Sequence, residues 1–167
     1  FALQFARLKG ARVIATSSSD AKLERVRGMG ATELINYRST PEWGSRAVEL
    51  TSGRGVDHVV EVGGAGTLGQ SLRAVRTGGR ISLIGVLAGG VGGQSEPVNL
   101  IPILMKGICV QGIFVGSREM FEAMNAAISE HQVRPVVDRV FAFEEFPAAL
   151  RHMESAAHFG KIVIKRP

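Results

Sequence analysis

The chain has 167 residues, of which 45% are hydrophobic, and a mean hydropathy of +0.14, a composition that predicts a folded domain and excludes a disordered chain. Its 20 Lys and Arg exceed its 15 Asp and Glu, but the cations are scattered singly, so nucleic-acid binding is not expected. No apolar run reaches the roughly 20 residues of a membrane span and no leader-like segment opens the chain, so we expect a cytoplasmic protein without membrane contacts.

The single cysteine and the first residues give two further expectations. Cys109 has no partner for an internal disulfide, which fits a reducing compartment, and its apolar neighbours predict a buried position. Phe1, Phe5 and Leu8 recur at helical spacing without a preceding cap. We therefore expect the chain to open inside an amphipathic helix and to be part of a longer protein.

Apolar periodicity and turn residues predict an alternation of helices and strands. Ser19 or Asp20 is expected to cap the second helix, and Gly30 to end it in a left-handed conformation. The predicted elements are, in chain order, a helix through Phe1, Phe5 and Leu8, a strand Arg12 to Thr16, a helix through Leu23, Val26 and Met29, a strand at Leu34 and Ile35, a helix through Trp43, Ala47 and Leu50, a strand Val56 to Val62, a helix through Leu68, Leu72 and Val75, a strand Ile81 to Ile84, a helix around Leu100 to Met105, a strand Ile108 to Val115, a helix through Phe121, Met124 and Ile128, a strand Val136 to Phe141, a helix through Phe146, Leu150 and Met153, and a strand Lys161 to Lys165.

The order of these elements predicts the fold class. The strands are almost continuously apolar and helices separate them, which indicates an α/β fold with a doubly wound parallel sheet and helices on both faces. From Arg134 the regular alternation stops. We therefore expect two parts, a sheet domain over residues 1–133 and a tail over residues 134–167 that packs on a neighbouring domain.

The segment Gly64 to Gly69 reads Gly-Ala-Gly-Thr-Leu-Gly after an apolar run, as in the dinucleotide-binding fingerprint. In that fingerprint an acidic residue ends the next strand, about 20 residues on. Here the next strand ends Ile84-Gly85-Val86-Leu87, and two strand and helix units precede Gly64. We therefore interpret the segment as a tight turn. Its overlap with the first motif of S-adenosylmethionine-dependent methyltransferases leaves that class as an alternative, although this motif too belongs on a first strand.

Polar residues after the first predicted strand suit an anion. Ser17 and Ser18 can donate hydrogen bonds to phosphate oxygens and Lys22 adds a positive charge, whereas no carboxylate ends the strand to bind a free ribose 2′-hydroxyl. Asp20 counts against an anion there. The set suits the 2′-phosphate of NADP(H), and an ordinary helix N-cap with a surface lysine remains the alternative.

Other residues with catalytic chemistry are sparse. The histidines are separated in sequence and no cluster of His, Cys, Asp and Glu has metal-ligand spacing, so we expect neither a zinc site nor catalytic residues in this chain. No nucleophile motif is present. Glu61 is interpreted as a strand-end carboxylate that binds backbone, with a buried functional carboxylate as the alternative.

Several short motifs, taken in order, carry a resemblance to a known family. The chain resembles the cofactor-binding half of medium-chain dehydrogenases/reductases, the superfamily of zinc-type alcohol dehydrogenases and quinone oxidoreductases. The resemblance spans nearly the whole chain. The motifs are the helix Phe1 to Gly10, Ile35-Asn36-Tyr37-Arg38, Gly53-Arg54-Gly55-Val56-Asp57, Gly78-Gly79-Arg80-Ile81, Val115-Gly116-Ser117-Arg118, Arg134 to Phe141, and His158-Phe159-Gly160-Lys161-Ile162-Val163.

The resemblance implies a Rossmann-like domain that lacks its first strand and its glycine-rich phosphate loop, because in the family both precede the opening helix. Quinone oxidoreductase-like members place a lysine and a tyrosine on the 2′-phosphate, and the matching positions are Lys22 and Tyr37, so NADP(H) is expected over NAD(H). Three turns are implied on the nicotinamide side of the cofactor. They are Val62-Gly63-Gly64, Ile84-Gly85-Val86 and Phe114-Val115-Gly116.

The implied function of the whole protein is hydride transfer between the nicotinamide and a small molecule, either an alcohol or carbonyl or a quinone or enone. The substrate pocket, and a zinc ion when present, would come from an N-terminal catalytic domain outside this chain, so the chain alone is expected to be inactive. A non-catalytic nucleotide-binding protein remains an alternative on the same fold. The tail from Arg134 is implied to pack on that catalytic domain, and the strand Ile108 to Val115 to pair across a homodimer.

Overall fold

The computed structural model describes residues 1–87 and 97–167, in which helices and strands alternate. The order agrees with the predicted alternation, and the last strand has its predicted bounds. Part of the glycine-rich loop Gly85 to Gly93, from residue 88 onward, lies outside the described residues. The elements are α1 Ala2–Leu8, β1 Ile14–Ser17, α2 Asp20–Gly28, β2 Glu33–Asn36, α3 Trp43–Leu50, β3 Val56–Glu61, α4 Ala65–Ala74, β4 Val75–Leu83, α5 Ile101–Lys106, β5 Cys109–Gly112, α6 Arg118–Glu130, β6 Val137–Ala142, a 3₁₀ turn Phe143–Glu145, α7 Phe146–Glu154 and β7 Lys161–Lys165.

The chain divides into two compact units. The larger unit is Ala2–Arg118, and the smaller contains Glu119–Pro167 together with Phe1. The larger unit thus holds strands β1 to β5, and the smaller holds β6, α7 and β7. The boundary expected after residue 133, where the regular alternation stops, stays a prediction.

The larger unit contains two parallel sheets. In the first, β1 pairs with β2, from Ile14 opposite Glu33 to Ser17 opposite Asn36. In the second, the order is β3, β4, β5, and both pairs are parallel. Parallel pairing confirms the fold class predicted from apolar strands separated by helices.

Two apolar clusters hold the larger unit together. The first lies between β2, α3 and the end of α4, and the second packs α4 against β4 and the residue before β5. The contact between α3 and α4 therefore links the two sheets. Full burial of such side chains stabilises the fold by roughly 1.5 to 3 kcal/mol for each of the larger ones. The buried members are Ile35, Ala47 and Ala74 in the first cluster, and Leu72, Val75, Ile81 and Ile108 in the second.

The smaller unit is built on the parallel pair β6 and β7. Phe141 of β6 is 1% exposed. Asp138 of β6 accepts hydrogen bonds through one oxygen from His152 Nε2 of α7, at 2.8 Å, and through the other from the backbone N–H of Phe159, at 2.9 Å. This carboxylate therefore ties α7 and the turn before β7 to the sheet.

The boundary between α4 and β4 differs from its prediction. The sequence pattern places Val75 in the helix and predicts a strand over Ile81 to Ile84, whereas β4 begins at Val75, which pairs with Val56. The register then shifts, so that His58 lies opposite Arg80. Val75 is fully buried, and because both a helix and a strand would bury it here, apolar periodicity cannot tell the two apart.

The predicted burial of Cys109 is wrong, because this residue is exposed. It lies on β5, the edge strand of its sheet. Its neighbour Val110 packs against the second cluster, and since side chains alternate along a strand, Cys109 points to the other face.

The apolar residues from which α6 and α7 were predicted are largely exposed. Periodicity identified their apolar sides correctly but does not specify which neighbour covers them. On α7 the buried residue is Ala149. The exposed residues are Phe121, Met124, Phe146, Leu150 and Met153.

Candidate functional site

The candidate cofactor residues follow the carboxyl ends of the parallel strands. Within one sheet these ends share an edge, and in open α/β sheets ligands bind at that edge. The β1 and β2 ends form one group of candidates in the larger unit, and the β3, β4 and β5 ends form the other.

The structure brings Ser17 and Tyr37 together at the β1 and β2 edge. The backbone N–H of Tyr37 donates to the carbonyl of Ser17 at 3.1 Å, and the Tyr37 side chain is exposed. The Ser17 hydroxyl oxygen accepts from the N–H of Ser19 at 3.2 Å. Two of the four residues expected at the 2′-phosphate, Ser17 and Tyr37, thus lie at adjacent strand ends.

Ser19 caps α2, which places Ser18 and Lys22 beside the same edge. The Ser19 hydroxyl oxygen accepts from the backbone N–H of Lys22 at 3.4 Å. The cap uses the Ser19 hydroxyl and the backbone N–H of Lys22, whereas the predicted phosphate site would use the side chains of Ser17, Ser18 and Lys22. The two interpretations left open by the sequence are therefore compatible.

Asp20, the acidic residue nearest this edge, is bound by a neighbour. Its Oδ1 accepts from Asn36 Nδ2 at 2.7 Å, and the side-chain oxygen of Asn36 in turn accepts from the backbone N–H of Arg38 at 3.0 Å. Arg38 is exposed. It follows Tyr37 directly, so its guanidinium is a second cation, besides Lys22, on the residues around this edge. The sequence interpretation assigned no role to Arg38.

Glu61 organises the turn after β3. The residue is 3% exposed, and its Oε1 accepts from the N–H groups of Gly63 at 2.8 Å and Gly64 at 3.0 Å and from the hydroxyl of Thr67 at 2.6 Å. Its other oxygen accepts from the hydroxyl of Ser71. Glu61 is thus a strand-end carboxylate bonded to backbone, as interpreted from the sequence.

This carboxylate explains why a segment with the spacing of a phosphate loop does not need a phosphate. Helix N-termini attract anions because their N–H groups point outward and their dipoles are positive. Gly64 is the N-cap of α4, and the anion at this end is the side chain of Glu61. The intramolecular carboxylate binds the N–H groups of Gly63 and Gly64, so these two donors are not available to a phosphate.

The turns after β3 and β4 pack closely against each other. The N–H of Ile84 donates to the carbonyl of Glu61 at 2.9 Å. A Cβ on Gly85 would overlap the carbonyl oxygen of Val62, and one on Gly64, whose φ is +81°, would lie 2.8 Å from the Cα of Val86. The structure therefore brings Val62, Gly63 and Gly64 together with Ile84, Gly85 and Val86, and both glycines are required for this approach.

The third predicted turn is linked to these two only through the sheet. The N–H of Ile113 donates to the carbonyl of Leu83 at 2.9 Å and extends the ladder by one residue beyond β5. Phe114 is 99% exposed and Val115 75%. Phe114, Val115 and Gly116 thus lie beyond the same edge without a described contact to the two glycine turns.

The described residues offer no metal centre, since no group of three His, Cys, Asp or Glu side chains is placed to hold an ion. Within residues 1–87 and 97–167, no helix combines the length and apolarity of a membrane span.

The most informative residues missed from the sequence are the partners of Glu61. Thr67 and Ser71 lie 6 and 10 residues beyond Glu61, in the first and second turns of α4. Both donate their hydroxyl to its carboxylate. The N-cap rule gives no signal for these contacts, because it concerns the residue at the start of the helix, here Gly64, which makes no side-chain cap.

Comparisons with known proteins identify the family of this chain. The family model described as zinc-binding dehydrogenase matches residues 1–130. The zinc-type alcohol dehydrogenase-like protein C1773.06c of Schizosaccharomyces pombe is 46% identical over 99% of this chain and 48% of its own length. The L-threonine 3-dehydrogenase of Deinococcus deserti is 30% identical over 95% of this chain and 46% of its own length.

A solved structure of an NAD-dependent alcohol dehydrogenase superposes with a TM-score of 0.87 and 32% identity, over 98% of this chain and 46% of that one. The chain therefore spans about half the length of the proteins it matches, the half with parallel sheets of the Rossmann type. By its motifs, its fold and the family model, the chain belongs to the zinc-binding dehydrogenases of the medium-chain dehydrogenase/reductase superfamily.

Proposed function

We propose that the full-length protein is an NADP(H)-dependent oxidoreductase that transfers a hydride between the nicotinamide and an alcohol or carbonyl, or a quinone or enone. Membership of the zinc-binding dehydrogenases supports the oxidoreductase class. The observation that carries the NADP(H) preference is the backbone hydrogen bond from the N–H of Tyr37 to the carbonyl of Ser17, because it puts these two residues side by side at one strand edge, directly before the helix that carries Lys22.

The residues at the β1 and β2 edge fit a phosphate monoester. Ser17 and Ser18 donate through hydroxyls, Lys22 supplies an ammonium group and Tyr37 a phenol, all of which bind phosphate oxygens. The side chain that ends β1 is a serine, not a carboxylate that would repel a phosphate. One of the similar structures is of an NAD-dependent enzyme, so NADH is the competing cofactor.

The two glycine turns would hold the nicotinamide side of the cofactor. The nicotinamide supplies the hydride chemistry, and the protein supplies position and shielding from water. Val62, Ile84 and Val86 present exposed apolar side chains on these turns, which can exclude water from a bound ring. We assign no acid or base role to any residue of this chain.

The remaining features of the whole protein are part of the same proposal. The catalytic domain, with zinc if the protein uses it, lies outside this chain, as do the first strand and the phosphate loop. The edge strand β5 pairs across a homodimer, supported by the exposed Ile113, Phe114 and Val115 beside it, since an apolar edge favours strand pairing. A cytoplasmic location completes the proposal.

The experiment uses the full-length protein. Fluorescence titration with NADPH and NADH measures both dissociation constants, and turnover is then measured on a panel of alcohols, aldehydes, quinones and enones. Tighter binding of NADPH together with turnover is expected. Tighter binding of NADH would overturn the role of Lys22 and Tyr37, and nucleotide binding without any hydride transfer would favour a binding protein instead.

A further inference from the structure

We propose that Glu61 is a positioning residue for hydride transfer, acting through the turns after β3 and β4 without touching the cofactor. This inference rests on the proposed function. It starts from a buried carboxylate with four donors, two of them backbone N–H groups of the turn. Such bonds to a charged acceptor are roughly twice as strong as neutral ones.

The bonds hold one particular turn conformation. Gly64 has φ +81° and ψ −135°, a region that residues other than glycine rarely enter. Glycine itself also adopts many other conformations, so the local backbone does not select this turn without further contacts. Gly63 and Gly64 both direct their N–H groups at Oε1 of Glu61. Without the carboxylate these two donors would lose their buried acceptor, and the turn would rearrange to satisfy them.

A rearrangement of this turn would reach the neighbouring one. The carbonyl of Val62 lies against Gly85, and Gly64 lies against the Cα of Val86, with no room for a Cβ in either place. The backbone of Glu61 itself accepts from Ile84. The turns after β3 and β4 therefore form one packed pair, and its position depends on Glu61.

The β1 and β2 edge, which would hold the 2′-phosphate, makes no described contact with Glu61. Loss of Glu61 should therefore leave cofactor affinity nearly unchanged while disturbing the nicotinamide position. A misplacement of about 1 Å between reacting groups can lower a rate by about 100-fold. We expect a fall in kcat of roughly 10- to 100-fold, with a change in the dissociation constant for NADPH below about 3-fold.

The test uses Glu61→Ala, Glu61→Gln and Thr67→Val in the full-length protein, with Glu49→Gln as the matched control. Glu49 is an exposed acid on α3 paired with Arg46, outside the site. Gln keeps an acceptor at the position of Oε1 and should recover most of the kcat lost in the Ala variant. Thr67→Val removes one donor and should give an intermediate loss even if the Ala variant fails to fold.

Two further readouts separate positioning from a general loss of stability. The kinetic isotope effect with 4-deuterated NADPH should rise in the variants if hydride transfer becomes slower. Amide exchange of Gly63 and Gly64 should accelerate in Glu61→Ala while that of β1 stays unchanged. An unaltered kcat in Glu61→Ala, or equal loss of kcat in the Ala and Gln variants, would overturn the positioning role.

The outcomes for the two proposals are distinct. A wild-type protein that binds neither NADPH nor NADH refutes the proposed function and with it this role. A wild-type protein that transfers hydride, with variants that lose affinity instead of kcat, refutes only the inference about Glu61.

Discussion

Lys22 is the residue on which the choice between NADP(H) and NAD(H) depends most directly. Its ammonium group is the cation expected at the 2′-phosphate, on the helix that Ser19 caps. In the full-length protein, Lys22→Ala should weaken NADPH binding by about 10-fold, because a hydrogen bond to a charged group contributes about 1.5 kcal/mol. NADH has no 2′-phosphate, so its affinity should not change.

The control for Lys22→Ala is Lys9→Ala, which removes an exposed cation that follows α1. Fluorescence titration measures the affinity of each variant for NADPH and for NADH. The titrations are made at two salt concentrations, because salt screens the general attraction between charges. An equal loss for NADPH and NADH, or a loss in Lys9→Ala of the same size, would contradict a specific contact with the 2′-phosphate.

Gly85 provides a second test at the scale of one residue. A Cβ at this position would overlap the carbonyl oxygen of Val62, so Gly85→Ala should cost about 1 to 3 kcal/mol in the free energy of unfolding through overpacking. It should also push apart the turns after β3 and β4. Urea denaturation of the full-length protein measures the first effect and turnover the second.

Gly69 is the matched control for Gly85. It lies within α4, and a Cβ there would meet nothing within 4 Å. Gly69→Ala should therefore raise the free energy of unfolding by about 0.5 to 1 kcal/mol, through the higher helix propensity of alanine. If both substitutions destabilise the protein equally, the close approach of the two turns is not the cause.

At the scale of elements, Lys106 holds the end of α4. Its Nζ donates to the backbone carbonyls of Leu72, Arg73 and Val75, at 3.0 to 3.1 Å. These include the last carbonyls of the helix, which have no partner within it, and a cation there also interacts favourably with the helix dipole. Lys106 therefore connects α5 to the core helix that carries Ser71.

Replacement of Lys106 by Met should lower the free energy of unfolding by about 1 kcal/mol, since the side chain keeps its apolar stem but loses the cap. The gain from the three bonds is partly offset, because desolvation and the charge of Arg73 lower the pKa of Lys106. Urea denaturation of Lys106→Met beside Lys9→Met measures the difference. Equal stability of the two variants would mean that water replaces the cap without cost.

The elements also mark what the sequence can and cannot specify. The alternation of apolar strands and helices predicted the parallel pairing correctly, because only a strand covered on both faces is apolar throughout. The α4 and β4 boundary was missed, since Val75 is buried in either conformation. The apolar neighbours of Cys109 predicted burial, but the alternation along β5 turns this side chain away from the cluster that Val110 contacts.

The candidate site follows the same division. Ser17 could be named in advance from the end of its strand, and Tyr37 and Gly85 from the family resemblance. The contacts of Glu61 with Thr67 and Ser71 could not, because they depend on how the first turns of α4 lie over β3. Which residues meet at an edge is a property of topology and packing, and local pattern contains little of either.

At the scale of the whole molecule, the strand pairing bears on what the chain can do alone. Among the described residues, β1 pairs only with β2, and β3 pairs only with β4. Each of β1 and β3 therefore has one edge without a described partner strand. In the doubly wound order 3-2-1-4-5-6, the first strand lies between the two halves and carries the phosphate loop. The split between the two sheets is where a preceding strand of the full-length protein would fit.

This arrangement predicts that residues 1–167 bind NADPH at least about 100-fold more weakly than the full-length protein, because the pyrophosphate lacks the loop that would bind it at a helix N-terminus. At the N-terminus of α4, which follows β3, the N–H groups of Gly63 and Gly64 already bind the carboxylate of Glu61. Titration of both proteins with NADPH tests this, with circular dichroism to establish that the shorter chain is folded. Equal affinities would place the main phosphate contacts within residues 1–167. These phosphate contacts would then use donors other than the N–H groups that Glu61 binds. The β1 and β2 edge, with Ser17, Ser18 and Lys22, would have to hold both the pyrophosphate and the 2′-phosphate.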